Sequence, residues 1–172
     1  MTIALVAHDS RKKELLEWVK FNRKTLFKSN IVCTGTTGKL VRGIFVDYFM
    51  ESSRSKYERS YWEEVAHHNI QCFHSGPLGG DSEIGAAIAN GKIDVLIFFC
   101  DNLITQGHQV DISALSRLAS LYNIAFATNR TTADMILTST LFNNKEYKRI
   151  KPDFTKYLTR EICQYEEAPS KR

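Results

Sequence analysis

Along the chain, short unbroken apolar runs alternate with longer stretches in which apolar residues return every three or four positions. The runs are Ile3–Ala7, Ile31–Cys33, Ile70–Phe73, Val95–Cys100 and Ile124–Ala127. They alternate poorly between apolar and polar, so each predicts a strand covered on both faces. Between them, Leu15, Leu16, Val19 and Leu26 keep helical spacing, as do Ile84, Ala87 and Ile88, and then Ile112, Leu115, Leu118 and Ala119. Asn90-Gly91 is a helix stop before the fourth run. This alternation predicts an α/β fold of three layers, a mostly parallel central sheet with helices on both faces. Ligands of such sheets bind beyond the carboxyl ends of the strands. One stretch departs from the pattern. Phe45 to His68 is charged and aromatic, and too long for a simple connection. Within it Tyr57, Tyr61 and Val65 recur at i, i+4 and i+8 with Trp62 beside them, which predicts a short helical arm. Such an arm either packs on the chain's own surface or enlarges a contact between subunits.

Composition narrows the class. With 172 residues, 43% hydrophobic and 24% charged, the chain reads as a single globular domain, 1–172. The net charge of +4 comes without a dense basic stripe, so nucleic acid is not an expected partner, whereas a small anionic ligand is. The longest apolar run, Val95 to Cys100, spans six residues and cannot cross a membrane as a helix. The first residues lack a basic leader and a cleavage site, and Cys33, Cys72, Cys100 and Cys163 form no Cys-x-x-Cys pair. The expectation is a reducing, cytoplasmic setting, with Cys33 and Cys100 as core residues.

The candidate chemistry follows the strands. After the first come His8-Asp9 and then Lys12; after the second, Thr34-Gly35-Thr36-Thr37-Gly38; after the third, Ser75-Gly76-Pro77-Leu78-Gly79-Gly80-Asp81; after the fourth, Asp101, then Gly107-His108 and Asp111. In a parallel sheet all of these lie at one edge. The Thr-Gly-Thr-Thr-Gly loop suits a phosphate, since glycines admit the anion to backbone N–H groups and a following helix adds its positive end. Its spacing is not that of a Walker A loop. The alternative is a turn with a threonine cap. Ser75-Gly76 repeats the chemistry and Lys12 supplies countercharge, so together they favour a phosphate monoester. Asp81 opens a helix, where it serves either as a cap or as an ionised base. Asp9, Asp101 and Asp111 have capping or ion-pair alternatives, and His8 and His108 structural or solvated ones. The scattered Asp and His residues have no metal-ligand spacing, so no metal is expected.

Ala4-Leu-Val-Ala-His-Asp9, Thr34-Gly-Thr-Thr-Gly38, Ser75-Gly-Pro-Leu-Gly-Gly-Asp81, Gly91-Lys-Ile-Asp-Val-Leu-Ile-Phe-Phe99 and Ala127-Thr-Asn129 closely resemble the methylglyoxal synthase family, in order from about Ile3 to Arg160. The resemblance implies a Rossmann-like parallel fold, usually a homohexamer, that converts dihydroxyacetone phosphate to methylglyoxal and inorganic phosphate without a cofactor. It matches Asp81 to the catalytic carboxylate, with His108 and Asp111 as its partners in the chemistry. Lys12, Thr34, Gly35, Thr36, Thr37, Ser75 and Gly76 match the substrate-phosphate site, and His8 and His108 the substrate-binding histidines. Asp9 and Asp101 match supporting acids, and Arg160 an arginine of the subunit interface. Against the family pattern, the segment around 45–68 reads as an insertion, and the chain continues past about residue 162. The same fold also serves as a phosphate-effector-binding regulatory domain of carbamoyl phosphate synthetases, the non-catalytic alternative. A sensor has no chemical need for Asp81 and His108.

Overall fold

The apolar runs become five strands: β1 (Thr2–Ala7), β2 (Asn30–Cys33), β3 (Ile70–Cys72), β4 (Val95–Phe99) and β5 (Ala125–Ala127). The computed structural model describes residues 1–52, 57–103 and 109–159, apart from the side chains of 109–111. The strands lie in the order β3-β2-β1-β4-β5 and every neighbouring pair is parallel. From β1 the chain steps outward through β2 to β3, then returns to place β4 on the other side of β1. The switch point of the sheet therefore lies between β1 and β4, where such folds open a crevice at the carboxyl ends.

Seven helices accompany the strands among the described residues: α1 (Lys12–Leu26), α2 (Gly35–Ser52), α3 (Arg59–Asn69), α4 (Gly80–Ala89), α5 (Gln109–Leu121), α6 (Arg130–Thr138) and α7 (Thr155–Leu158). Alternate residues of a strand face opposite sides, and β1 divides its core accordingly. Ile3, Leu5 and Ala7 join Ile31, Ile97 and Phe99 beneath α1, α2 and α6, with Trp18, Val41 and Phe45 filling the layer. Ala4 and Val6 join Leu96 and Phe98 beneath α4 and α5, through Ile84, Ile88, Leu115 and Ala119. Asn90-Gly91 ends α4 as its sequence predicts, with Gly91 at φ +67°. Cys33 and Cys100 are both buried, as core residues should be.

Much of the 45–68 segment packs on the chain's own core. Phe45, Val46 and Phe49 extend α2 along the sheet, and Phe49 stacks on Trp62 of α3 at 4.7 Å and meets Phe27 edge-on at 4.4 Å. The predicted aromatic face is rotated: Trp62, Val65 and Ala66 turn inward, while Tyr57 and Tyr61 stack on each other at 4.5 Å and stay exposed. Among the described residues no helix is long and apolar enough to cross a membrane.

Candidate active site

β1 ends at Ala7, and after His8 the chain enters α1 through a 3-10 turn, Asp9–Arg11. Lys12, the first residue of α1, donates to Asp9 Oδ1, and this bond with its charge holds the Asp9 carboxyl below the usual carboxylate range. The Asp101 N–H donates to His8 Nδ1 at 2.8 Å. Because an N–H can only donate, Nδ1 carries no proton, and the neutral ring bears its hydrogen on Nε2. The Asp101 carboxylate is turned to other work. It accepts from Ser10 Oγ at 2.6 Å and from the Leu103 N–H at 3.1 Å, bracing the segments that follow β1 and β4.

The Thr34–Gly38 segment departs from its reading as a loop. The Gly38 N–H reaches Thr34 O at 2.9 Å, so the helix closes its first turn at once and α2 begins at Gly35. The first N–H groups of a helix find no partner within it. That of Gly35 goes to His74 O at 3.0 Å, and Thr36 and Thr37 border the cleft. Thr37 Oγ1 is buried and has no hydrogen-bond partner among the described residues. A buried hydroxyl in that condition is costly unless a ligand completes it.

After β3, Ser75 leads into a 3-10 turn, Gly76–Leu78, and Gly79 at φ +94° turns the chain into α4. Gly80 admits no side chain, since a Cβ there would lie 2.0 Å from His74 O. Asp81 is thus in the first turn of α4 and does not cap it; Gly79 holds the cap position. Of the two readings of Asp81, the capping one falls away, because the tight approach of Gly80 to His74 starts the helix one residue before Asp81. Two residues further, in the same first turn, Glu83 accepts from the His74 backbone N–H (2.8 Å) and pairs with the His74 ring Nδ1 (3.0 Å), contacts that hold the Glu83 carboxyl below its usual range.

These segments enclose a cleft of about 320 Å³ at the carboxyl edge, beside the switch point. It gathers His8, Asp9, Lys12, Thr34, Thr36, Thr37, Ser75, Gly76 and Asp81. Gly35 lies beneath it, against the Ser75 backbone, and Asp101 stands behind His8. Asp111 belongs to α5, with its side chain outside the description, and His108 and Arg160 lie outside the described residues. Sequence reasoning missed the apolar wall of Val6, Pro77 and Phe98, the last edge-on to His8 at 5.1 Å. Pro77 was present within the Ser-Gly-Pro motif. Phe98 was legible only as one residue of a buried strand.

The N-termini of α1, α2 and α4 all lie at this edge, so their partial positive charges act with the Lys12 ammonium on whatever enters the cleft. Fold and cleft together define a doubly wound α/β protein whose carboxyl-edge cleft gathers helix N-termini, a lysine and the carboxylates of Asp9 and Asp81. The sequence profile of the MGS-like domain matches residues 14–128. Over 160 residues the chain is 44% identical to a methylglyoxal synthase of Maridesulfovibrio salexigens, covering 93% of this chain and 96% of that protein. It is 41% identical over 161 residues to that of Hahella chejuensis, covering 94% and 90% respectively. The crystal structure of methylglyoxal synthase from Elizabethkingia anophelis superposes with a TM-score of 0.74 at 37% identity, covering 95% of this chain and 93% of that one. The chain belongs to the methylglyoxal synthase family.

Proposed function

We propose that the cleft binds dihydroxyacetone phosphate and eliminates inorganic phosphate from it, leaving methylglyoxal. The observation that carries this reading is the buried Thr37 hydroxyl, without a partner among the described residues, in one cleft with Lys12, Thr36, Ser75 and Asp81. Phosphate oxygens complete the Thr37 hydroxyl and the first-turn N–H groups of α2, and take Lys12 from Asp9 by offering more negative charge. Asp81 removes a proton from the hydroxymethyl carbon, giving the enediolate. The electron pair then breaks the bridging C–O bond, phosphate departs, and the enol aldehyde left behind ketonises to methylglyoxal. Elimination wins over isomerisation when that C–O bond stands across the enediolate plane, a matter of how the phosphate is held. His8, bearing its hydrogen on Nε2, donates to a substrate oxygen. By their match to the family, His108 polarises the carbonyl or carries a proton and Asp111 assists it. Lys12 and the first-turn N–H groups of α2 stabilise the charge on the leaving phosphate.

The reading extends to a single domain with an inserted segment at about 45–68, working in the cytoplasm. It assembles as a homo-oligomer, a hexamer by the family resemblance, with Arg160 at the interface. Exposure of Tyr57 and Tyr61, at 54% and 44%, supports a contact between subunits. The test is incubation of purified protein with dihydroxyacetone phosphate while methylglyoxal and phosphate are followed together. Equal release of both products is expected. Conversion to glyceraldehyde phosphate, or binding without turnover, defeats the reading, and the second outcome favours the regulatory alternative.

A further inference from the structure

His74 is the point where three cleft-forming segments meet. Its carbonyl accepts the N–H of Gly35, the first residue of α2, at 3.0 Å. Its own N–H donates to Glu83 Oε2 at 2.8 Å, and its ring Nδ1 lies 3.0 Å from Glu83 Oε1. A carboxylate only accepts, so Nδ1 carries the proton here. The next residue is Ser75, whose carbonyl takes the N–H of Gly80 at 3.1 Å. The beginning of α4 lies so close to His74 that Gly80 has no room for a Cβ. Glu83, two residues beyond Asp81, is the side chain that closes this junction from the α4 side.

We infer that Glu83 is a positioning residue: by clasping His74 it sets Ser75 and Gly76 in register with Asp81 and with the first turn of α2. The inference rests on the reading of the cleft given above. Stability is not its purpose, because the two side chains are 68% and 38% exposed and such pairs contribute little to folding. Its effect is geometric. One of its two bonds goes to a backbone N–H immediately before Ser75, and displacement of that backbone by an ångström separates the phosphate donors from the base. Errors of this size cost catalysis far more than they cost folding.

The test compares wild type with Glu83→Ala and Glu83→Gln in three measurements: calorimetric binding of inorganic phosphate, turnover of dihydroxyacetone phosphate, and the thermal midpoint. Glu83→Ala is expected to lose roughly tenfold or more in both kcat and phosphate affinity while its midpoint stays within roughly two degrees of wild type. Glu83→Gln is expected to recover most of both losses, because its amide oxygen accepts the His74 N–H and its amide N–H donates to Nδ1 in the other tautomer. Should the alanine variant not fold, Glu83→Asp, which keeps the charge and shortens the reach, carries the same comparison. Unchanged kcat and phosphate affinity in Glu83→Ala overturn the inference and leave the cleft reading standing. Equal damage in the glutamine and alanine variants overturns it too, since charge rather than contact geometry would then be the agent. Wild type that binds no inorganic phosphate removes the cleft reading, and this inference with it.

Discussion

From the amino ends of the strands a groove of about 820 Å³ runs past Asn30, Asn69, Asn90 and Lys92 and along α4 as far as Phe73 and Glu83, while the cleft at the carboxyl ends has about 320 Å³. The larger hollow has the poorer chemistry. At the amino edge its rim is formed by the ends of α3 and α4, where helix carbonyls carry partial negative charge and repel an anion. The smaller one receives the beginnings of α1, α2 and α4, with their N–H groups, one lysine and a buried hydroxyl. Volume measures how much chain was left out; recognition depends on which ends of the peptide dipoles point inward. In a parallel sheet with helical crossovers that polarity is built in, because each helix begins at the edge where its preceding strand ends.

Changes at the two edges should therefore differ by orders of magnitude. Asp81→Asn removes the base, and methylglyoxal formation should fall by about 10² to 10⁴-fold. Its circular dichroism melt should stay near wild type, because Gly79 rather than Asp81 holds the cap position of α4. Exchange of the hydroxymethyl hydrogens with solvent should vanish along with turnover. Full activity in a folded variant would transfer the base role to another acid.

Lys12→Met should raise the KM for substrate and the inhibition constant for phosphate together, by about tenfold each, as loss of a charge-assisted contact does. Movement of only one constant would separate the two anion sites. The same variant tests an acid-side effect. Asp9 is held below its ordinary value of 3.8 by Lys12, so the pair supports the fold above that value and loses its contribution as pH falls through the depressed one. Unfolding midpoints measured from about pH 5 to about pH 2 should show a shallower acid slope in Lys12→Met.

Thr37→Val should weaken phosphate binding several-fold yet raise the unfolding free energy by about 1 kcal/mol, since it removes a buried hydroxyl that has no partner among the described residues. A loss of stability instead would mean that the hydroxyl is already satisfied. The smallest effect belongs to the other edge. Lys92→Ala, at the amino-end groove, should change kcat/KM by less than about twofold and stability by no more than about 0.5 kcal/mol. A large catalytic effect there would break the contrast between the edges.

Strand positions were legible from the apolar runs because burial on both faces leaves no polar residue to interrupt them; each run and its strand agree within a residue. The cleft residues were legible as a class, because glycine, threonine, serine and aspartate collect where strands end. Helix phase in the 45–68 segment was not. Tyr61 and Trp62 are neighbours of similar character, and only the docking of α3 against Phe49 decides that the tryptophan turns inward.

The amino-acid sequence by itself determined the parallel α/β class, the edge at which chemistry collects, and nine of the residues that border the cleft. Those follow from local rules, periodicity and turn composition, which act over a few residues. Tertiary structure alone decided that Thr34–Gly38 closes directly into a helix and that Asp81 lies inside α4 rather than capping it. It alone paired His8 with the Asp101 N–H, and brought His74 and Glu83 together across the junction of three segments. Each of these depends on where a distant backbone carbonyl or N–H comes to rest, and such groups are identical at nearly every position of the chain. Their partners are chosen only when the strands and helices that carry them have packed.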